Sequence, residues 1–325
     1  MKKCILLISE NGPDRVGGIE RHCFNIMEMF ESGEEVEIKS VSKSDIRHSY
    51  WNFIGKTVFS FSDLKNAISN SRCDVVHVHG FASVVAVQSL IAARKLKKKL
   101  IFTAHYHPFE TLDNPRAGKI FFYLLLKPLL KSISMILTIN NQDTEFFKKY
   151  NQHVRMIPHW INIPFSKGMQ RRTENMILFV GRADANKGID HLYSIPEGKY
   201  EIHCVTGSHI SRKDFVVHSS ITDQELHLLY ERASLVVVPS RYEAFSYVAL
   251  ESLAHGTPIV ISRNVQIKDY VDGCRGISTF TYGDYKAFNT AIENTINAAV
   301  DTEAVAAVFD KSIIRSKLLN IYLEA

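Results

Sequence analysis

The chain has 325 residues, of which 46% are hydrophobic and 22% are charged. This length is typical of two domains of roughly 100–200 residues each. The composition excludes a disordered, a collagen-like or a disulfide-stapled chain. The net charge of +5 is unevenly distributed, because residues 1–160 carry +7 and residues 161–325 carry −2. The first half is therefore the candidate for contact with an anionic surface.

The sequence gives no indication of a targeting segment, a membrane span or a cysteine-based site. The apolar run at residues 4–8 is too short for a signal peptide, and no stretch approaches the roughly 20 apolar residues of a membrane span. The five cysteines are scattered and include no C-x-x-C pair. We therefore expect reduced thiols in a cytoplasmic protein, with neither a zinc site nor a disulfide framework.

Short apolar runs alternate with helical patterns through the first half of the chain. Strands are predicted at residues 4–8, 35–41, 74–78, 100–103, 135–139 and 154–157. Helices are predicted at residues 17–30, 82–96, 119–131 and 143–150. This order is typical of a parallel sheet with helices on both faces.

Residues 158–175 interrupt the pattern with two prolines, a glycine and paired arginines, which indicates a linker. A second series follows, with strands predicted at residues 176–180, 200–206, 215–218, 235–239 and 258–261. Its helices are predicted at residues 187–193, 223–232 and 247–255, and residues 284–323 also show a helical pattern.

These elements predict an α/β protein with two Rossmann-like, doubly wound domains. We place the first domain at residues 1–160 and the second at residues 161–310. A C-terminal helix at residues 311–325 is expected to pack back on the first domain. The two domains would face a central cleft at the carboxyl ends of their strands, where open α/β sheets bind ligands.

The most informative motif is P-S-R-Y-E-A-F-S-Y-V-A-L-E-S-L-A-H-G-T-P-I-V at residues 239–260. Glu243 precedes a predicted helix and Glu251 lies about two turns into it, so both carboxylates can face the cleft and accept hydrogen bonds from sugar hydroxyls. The amides around residues 245–247 form an anion site at the helix N-terminus. The alternative is that Glu243 caps the helix and Glu251 lies on a solvated face.

Two further motifs each follow a predicted strand. V-G-R-A-D-A-N-K-G-I-D at residues 180–190 places Arg182 and Lys187 at a strand–helix junction, where two cations suit a diphosphate; solubilising surface charge is the alternative. G-P-D-R-V-G-G-I-E-R-H at residues 12–22 offers Gly17 and Gly18 for close approach of the backbone to a ligand. It lacks the G-x-G-x-x-G pattern of dinucleotide-binding proteins.

Histidines follow two of the predicted strands. His105 lies in T-A-H-Y-H-P-F-E and would project into the cleft, although a single histidine is more often structural. His77 and His79 share one strand face, which makes metal binding conceivable. No third ligand is evident nearby in the sequence, so we favour packing and cleft lining for this pair.

In combination, G-G-I-E-R, D-V-V-H-V-H, T-A-H, G-R-x4-K-G and P-S-x2-E-x7-E resemble the retaining GT-B glycosyltransferases of family 4. The resemblance extends from about residue 2 to residue 277. It implies a GT-B fold and transfer of a hexose from a UDP- or GDP-sugar to a hydroxyl of a glycan or lipid-linked acceptor. Cell-surface polysaccharide or lipopolysaccharide would be the product. A GT-B nucleotide-sugar epimerase and a non-catalytic nucleotide-sugar or glycan-binding subunit remain as alternatives.

The resemblance also assigns roles to residues of the second domain. Arg182 and Lys187 would neutralise the diphosphate as it leaves, and Glu251 would hold the ribose hydroxyls. Glu243 would hold the sugar and phosphate, together with the backbone amides of Ala244, Phe245, Ser246 and Tyr247. The family usually has Gly-Phe-Gly where this chain has Ala-Phe-Ser at residues 244–246.

In the first domain, the resemblance implies that the Gly17–Gly18 turn closes over the phosphates and that His105 contacts the donor sugar. Anomeric configuration would be retained without a protein nucleophile, and catalysis would consist of positioning and electrostatic stabilisation. There is no D-x-D motif, so we expect no metal ligands and no cofactor beyond the donor itself.

The basic first domain is where this family binds acceptors. Arg94, Lys95 and Lys97–Lys99 form a compact cationic cluster, and residues 119–131 combine aromatic and leucine side chains with lysines. Such surfaces suit peripheral binding to an anionic membrane face that carries a lipid-linked acceptor. The alternative is a solvated helix end plus a core helix. No nucleic-acid-binding pattern is present.

Overall fold

The computed structural model describes residues 2–12, 17–46, 50–53, 56–81, 83–106, 108–109, 114–166 and 173–325. The chain forms two compact units. The first comprises Met1–His159 together with Lys311–Ala325, and the second comprises Trp160–Asp310. Residues 167–172 of the predicted linker lie outside the described residues.

The first unit contains a six-stranded parallel sheet and a two-stranded hairpin. Its strands are β1 (Lys3–Ile8), β2 (Val36–Val41), β3 (Tyr50–Phe53), β4 (Lys56–Phe59), β5 (Val75–His79), β6 (Lys99–Thr103), β7 (Met135–Thr138) and β8 (Val154–Met156). The sheet order is β2-β1-β5-β6-β7-β8, and β3 pairs antiparallel with β4. The direction of winding therefore reverses between β1 and β5.

Helices connect these strands and cover the sheet. They are α1 (Gly18–Phe30), α2 (Phe61–Asn70), α3 (Val84–Lys95), α4 (Pro115–Phe121), α5 (Lys127–Leu130) and α6 (Asn141–Lys148). A π-helical segment, Phe122–Leu126, joins α4 to α5. The hydrophobic core of the unit includes Val76, Leu90, Phe102 and Phe147, all of them almost fully buried.

The second unit contains its own six-stranded parallel sheet. Its strands are β9 (Met176–Val180), β10 (Glu201–Val205), β11 (Val216–His218), β12 (Leu235–Val238), β13 (Ile259–Ser262) and β14 (Ile277–Phe280), in the order β11-β10-β9-β12-β13-β14. Its helices are α7 (Ile189–Tyr193), α8 (Asp223–Arg232), α9 (Tyr247–Ala254), α10 (Tyr285–Thr295) and α11 (Thr302–Phe309). This is the strand order of a Rossmann fold, with the reversal between β9 and β12.

The last helix, α12 (Lys311–Glu324), belongs to the first unit. Its Tyr322 side chain is fully buried, and the hydroxyl lies 3.0 Å from Nδ1 of His77 in β5. Nζ of Lys3 in β1 donates to the carbonyl of Ala325 at 2.8 Å. These contacts attach the end of the chain to β1 and β5, which are adjacent in the sheet.

The predicted doubly wound sheets are confirmed, and every predicted strand is present with its ends shifted by at most two residues. The β3–β4 hairpin, α2 and β14 were not predicted. A signal for α2 does exist, because Ser60 caps the helix by accepting from the Asp63 amide, and Leu64 and Ile68 are buried one turn apart.

The expectation of reduced thiols throughout is wrong for two of the five cysteines. Cys4 and Cys73 form a disulfide across a sequence separation of 69 residues. The pairing follows from the topology, because β1 and β5 are neighbours with Ile5 opposite Val75. Cys23, Cys204 and Cys274 are free. Sequence spacing could not reveal the pair, since the strand order that joins them is a tertiary feature.

Within the described ranges, no helix has both the length and the apolar character needed to span a membrane.

Asp143 is a buried acidic residue in the first turn of α6. Burial raises the pKa of its carboxyl to about 8, although polar groups of Asn140, Tyr106 and Ile139 act in the opposite direction. In the unfolded chain the carboxyl has its ordinary value of 3.8. The folded state therefore binds one more proton than the unfolded state between these two pKa values, and stability falls as the pH rises through this range.

We predict that Asp143→Asn removes this pH dependence, because the amide resembles the protonated acid. Between pH 5.5 and 7.5 the free energy of unfolding of the variant should rise relative to the wild type by about 2–3 kcal/mol. Urea unfolding at several pH values measures the difference. Glu145→Gln, an exposed change on the same helix, is the control and should follow the wild-type curve. Parallel curves for Asp143→Asn and the wild type would contradict the prediction.

Candidate functional site

In both units the candidate residues follow strands next to the point where the strand order reverses. Lys187 follows β9 and Glu243 follows β12 in the second unit, while Gly18 follows β1 and His79 ends β5 in the first. The loops diverge at such a point and leave a crevice outside the carboxyl ends of the strands, where open α/β sheets bind ligands. The topology alone therefore selects these two edges.

A partly buried ion pair connects the two motifs of the second unit. Nζ of Lys187 lies 2.9 Å from Oε1 of Glu243, and the two side chains are 30% and 15% exposed. The same Oε1 accepts a hydrogen bond from the Ser240 hydroxyl at 2.5 Å. Sequence reasoning assigned both charged residues to the site, but it did not identify their contact or the role of Ser240.

The backbone around Glu243 is fixed by the loop that follows β13. Glu243 forms an isolated parallel bridge with Val265; its amide donates to Asn264, and its carbonyl accepts from the Gln266 amide at 3.0 Å. The carboxylate is therefore presented by a loop that has hydrogen bonds on both sides. Such support favours a fixed orientation of the side chain.

Gly188 allows the loop after β9, which carries Lys187, to lie close to the loop after β12. Its φ is +73°, and a Cβ added there would lie 2.0 Å from the carbonyl oxygen of Pro239. The Asn186 carbonyl accepts from the amide of Arg241 at 2.9 Å. The loops after β9 and β12 are thus in direct backbone contact, which requires glycine at position 188.

Arg182, the second predicted cation, does not share this ion pair. Its Nε lies 3.3 Å from Oδ2 of Asp184, and its side chain is 72% exposed. Asp184 also accepts from the Lys187 amide at 2.9 Å. Arg182 is therefore at the surface of the same loop, where it can reorient toward an anion at low cost.

The structure contradicts both alternatives considered for the two glutamates. The N-cap of α9 is Ser246, which accepts from the Ala249 amide, so Glu243 does not cap the helix. Glu251 is 3% exposed and accepts a hydrogen bond from the Tyr230 hydroxyl at 2.8 Å, so it does not lie on a solvated face. Its predicted contact with a ribose stays a prediction.

The amides predicted to bind the donor phosphate lie at the start of α9. Ala244, Phe245 and Ser246 are buried, and Tyr247 is partly buried as the first residue of the helix. The helix dipole adds positive potential there. Their role in anion binding is likewise a prediction.

In the first unit, His105 lies among four other buried histidines. Nε2 of His105 is 3.2 Å from Nδ1 of His79, and the ring stacks on that of His159 at 5.6 Å between centroids. His105 has a φ of +48°, in the left-handed region that residues other than glycine rarely adopt. Backbone strain of this kind concentrates at functional sites.

The remaining histidines complete a cluster that sequence reasoning missed. His22 in α1 and His159 after β8 contact each other through their Nδ1 atoms at 2.7 Å, and the rings of His77 and His79 lie 4.2 Å apart. We had found no third candidate ligand near His77 and His79 in the sequence. The topology supplies His22 and His105, which lie 57 and 26 positions away from His79.

Burial keeps four of these imidazoles neutral. It lowers the pKa of His22, His79 and His159 well below the usual value, and the pKa of His77 to about 3. Neighbouring histidines contribute in the same direction, because a second positive charge nearby is unfavourable.

Gly17 and Gly18 begin α1 close to this cluster in sequence. A Cβ on Gly18 would meet no atom within 4 Å, whereas a Cβ on Gly17 would lie 2.1 Å from Oε2 of Glu20. Fold packing among the described residues therefore does not require glycine at position 18, which leaves ligand approach as a reason for it. Residues 13–16 of this motif, and 107 and 110 of the His105 motif, lie outside the described residues.

Two family models together match most of the chain. The model for Glycosyltransferase Family 4 matches residues 16–164, and the model for Glycosyl transferases group 1 matches residues 174–298. An uncharacterized glycosyltransferase of Methanocaldococcus jannaschii, MJ1178, is 27% identical over 84% of this chain and 79% of its own. The O-antigen chain mannosyltransferase RfbU of Salmonella typhimurium is 23% identical over 80% and 82%.

Among solved structures, Anabaena Alr3699/HepE in complex with UDP superimposes with a TM-score of 0.69. The match covers 99% of this chain and all of the other, at 15% sequence identity. The two parallel sheets are therefore those of the GT-B fold.

We predict that Gly188→Ala destabilises the second unit more than Gly198→Ala does. Both glycines have φ near +74°, but a Cβ at Gly198 meets nothing within 4 Å. Gly198→Ala should cost about 1–2 kcal/mol for the left-handed conformation alone. Gly188→Ala should cost about 1–3 kcal/mol more because of the clash with Pro239. Thermal unfolding of both variants measures this, and equal losses would show that the loop contact is not a constraint.

Proposed function

The chain belongs to the group 1 glycosyltransferases of the GT-B fold, and from this membership we propose that it is a retaining enzyme that uses a nucleotide-sugar donor. The observation that carries the proposal is the Lys187–Glu243 pair at the reversal point of the second sheet. A cation and a carboxylate there suit the two halves of such a donor. The cation meets the diphosphate, and the carboxylate meets the sugar hydroxyls.

We assign donor binding to the second unit. Lys187 and Arg182 neutralise the diphosphate, and the amides of residues 244–247 add hydrogen bonds at the N-terminus of α9. Glu251 accepts from the ribose hydroxyls, in the interior position where Tyr230 now donates to it. The complex of the Anabaena structure with UDP supports a uridine nucleotide as the first donor to test.

Catalysis in this proposal consists of stabilising the leaving diphosphate. Negative charge develops on the phosphate oxygen as the bond to the anomeric carbon breaks, and Lys187 is positioned to offset it. The phosphate takes the proton of the acceptor hydroxyl, so that the configuration at the anomeric carbon is retained without a protein nucleophile. Glu243 holds the lysine in place before the donor arrives, and the Ser240 hydroxyl holds the carboxylate of Glu243.

The first unit contributes Gly17, Gly18 and His105. The backbone at Gly18 approaches the phosphates, and His105 contacts the donor sugar near the reacting carbon. Since the chain has no D-x-D motif, no divalent cation bridges the diphosphate, and transfer needs no added Mg²⁺ or Mn²⁺. The relation to an O-antigen mannosyltransferase favours cell-surface polysaccharide or lipopolysaccharide as the product.

The acceptor side of the proposal concerns residues 114–131, which we call the basic apolar segment. It exposes Ile120, Tyr123, Leu124 and Leu125, with Leu124 69% exposed, so it is not a simple core helix. Its charged residues are Arg116, Lys119, Lys127 and Lys131, with no acidic residue among them. Apolar side chains among cations are typical of a surface that binds anionic lipid. We propose that this segment docks on the inner face of a cytoplasmic membrane carrying the acceptor.

We predict that Lys187→Ala slows cleavage of the donor about 10²–10³-fold, as loss of one charge-stabilising group does in other active sites. UDP- and GDP-sugars are first screened by thermal shift, because a ligand that binds only the folded state raises the melting temperature. Release of nucleoside diphosphate is then measured with the donor that binds. Lys199→Ala, which breaks an exposed lysine–glutamate pair in the same unit, is the control and should leave the rate unchanged.

The same assay separates the alternatives. An epimerase converts the sugar nucleotide with no acceptor present, and a binding subunit gives a thermal shift without turnover even with an acceptor. Either result, or full activity of Lys187→Ala, would contradict the proposal.

We predict that the full chain binds vesicles containing anionic phospholipid more tightly than neutral phosphatidylcholine vesicles, and less tightly at high salt. Each cation removed from the basic apolar segment should lower the partition coefficient about fivefold, from about 1 kcal/mol per basic residue. Leu124→Ser should also weaken binding. The control Leu228→Ser, which is the same substitution at an exposed leucine of the other unit, should not. Vesicle sedimentation measures this, and equal binding to both vesicle types would rule out the electrostatic contribution.

A further inference from the structure

We propose that His22, His79 and His105 of the first unit bind one transition-metal ion of the zinc class. The three side chains are buried, and one ring nitrogen of each lies within 4.8 Å of the others. They belong to three different elements: His22 lies in α1, His79 ends β5, and His105 follows β6. The inference stands independently of the proposed function, which assigns His105 a contact with substrate but no metal.

The ring geometry agrees with a single ion. The centroids of the three imidazoles are 5.6 Å (His22–His79), 5.3 Å (His22–His105) and 5.5 Å (His79–His105) apart. Three imidazoles on one tetrahedral zinc ion have centroids about 5 Å apart, given a Zn–N distance of about 2.0–2.1 Å. The nearly equilateral spacing of the three rings is therefore within a small contraction of the spacing that one ion requires.

A second observation also indicates a ligand. Nε2 of His79 is buried and has no hydrogen-bond partner among the described residues. Leaving a buried polar atom without a partner is unfavourable, so native structures rarely do so. The other ring nitrogen, Nδ1, lies 3.2 Å from Nε2 of His105. A metal ion held by His79 and His105 would replace this contact, and the ring of His79 would turn to bring Nε2 to the ion.

Two further histidines surround the proposed ligands without joining them. His159 contacts Nδ1 of His22 at 2.7 Å, which is the kind of contact that orients a metal-binding imidazole through its other nitrogen. Both ring nitrogens of His77 have partners, Thr103 at 2.7 Å and Tyr322 at 3.0 Å. His77 therefore supports the ring of His79 but is not a ligand.

The chemistry of the ligand set identifies the class of ion. Imidazole nitrogen is a ligand for zinc, copper, nickel and iron, whereas magnesium and calcium require oxygen ligands. The proposed ion is therefore distinct from Mg²⁺ or Mn²⁺, which the proposed transfer reaction does not need.

The test uses the full chain, expressed without a histidine tag. We expect about one zinc ion per chain by mass spectrometry of the metal content, and a rise in melting temperature on adding Zn²⁺ to chelator-treated protein. Co²⁺ should give the intense visible absorption of a tetrahedral site. His22→Gln and His79→Gln should lose both the ion and the absorption. His159→Gln should retain the ligands but bind Zn²⁺ about 10–100-fold more weakly.

His203→Gln is the matched control. In the wild type, Nδ1 of His203 lies 2.8 Å from Nε2 of His218 in the second unit, and Nε2 of His203 contacts Glu201. Zinc bound adventitiously to this group would be lost in the His203→Gln variant. The variant should keep the full metal content. The proposal is overturned if the ion is lost in His203→Gln and kept in His79→Gln, or if neither Zn²⁺ nor Co²⁺ affects the wild-type chain. The cobalt spectrum of the wild type decides the question even if a ligand variant fails to fold.

Discussion

The reversal of strand order in each sheet is the constraint on which the chemistry of this protein depends. Between β9 and β12, and between β1 and β5, neighbouring strands send their connections to opposite faces. Backbone amides and side chains at the carboxyl ends are thereby left without a covering helix. The residues that we propose for donor binding and the three proposed metal ligands each end or follow one of these strands or a direct neighbour. This explains how motifs far apart in sequence come together within each unit.

The carboxyl ends of the strands differ in electrostatic character between the two units. In the second unit, Glu243 balances Lys187 at the place where we propose that an anion binds, so the cation is available without being an unpaired buried charge. In the first unit, the side chains are neutral imidazoles, because burial and mutual repulsion lower their pKa values. The carboxyl ends of the strands therefore suit a ligand that coordinates imidazole nitrogen, such as a metal ion, in the first unit and a charged ligand in the second unit.

The sequence predicted periodic elements and local motifs well, because both depend on neighbouring residues. Buried strands such as β9 and β12 appear as uninterrupted apolar runs. It could not predict contacts created by topology. The Cys4–Cys73 disulfide, the Lys187–Glu243 pair and the proximity of His22 to His105 each join segments that only the strand order brings together.

Glycine illustrates the same limit at the level of single residues. Gly18 and Gly188 both lie at predicted strand–helix junctions and have the same appearance in the sequence. In the structure, Gly188 is required by the Pro239 carbonyl, whereas nothing among the described residues crowds Gly18. A glycine that the fold does not require is the stronger indication of ligand approach, because packing then offers no other explanation for the missing side chain. By this reasoning Gly188 holds the loops after β9 and β12 together, and Gly18 is available for the ligand approach that we propose.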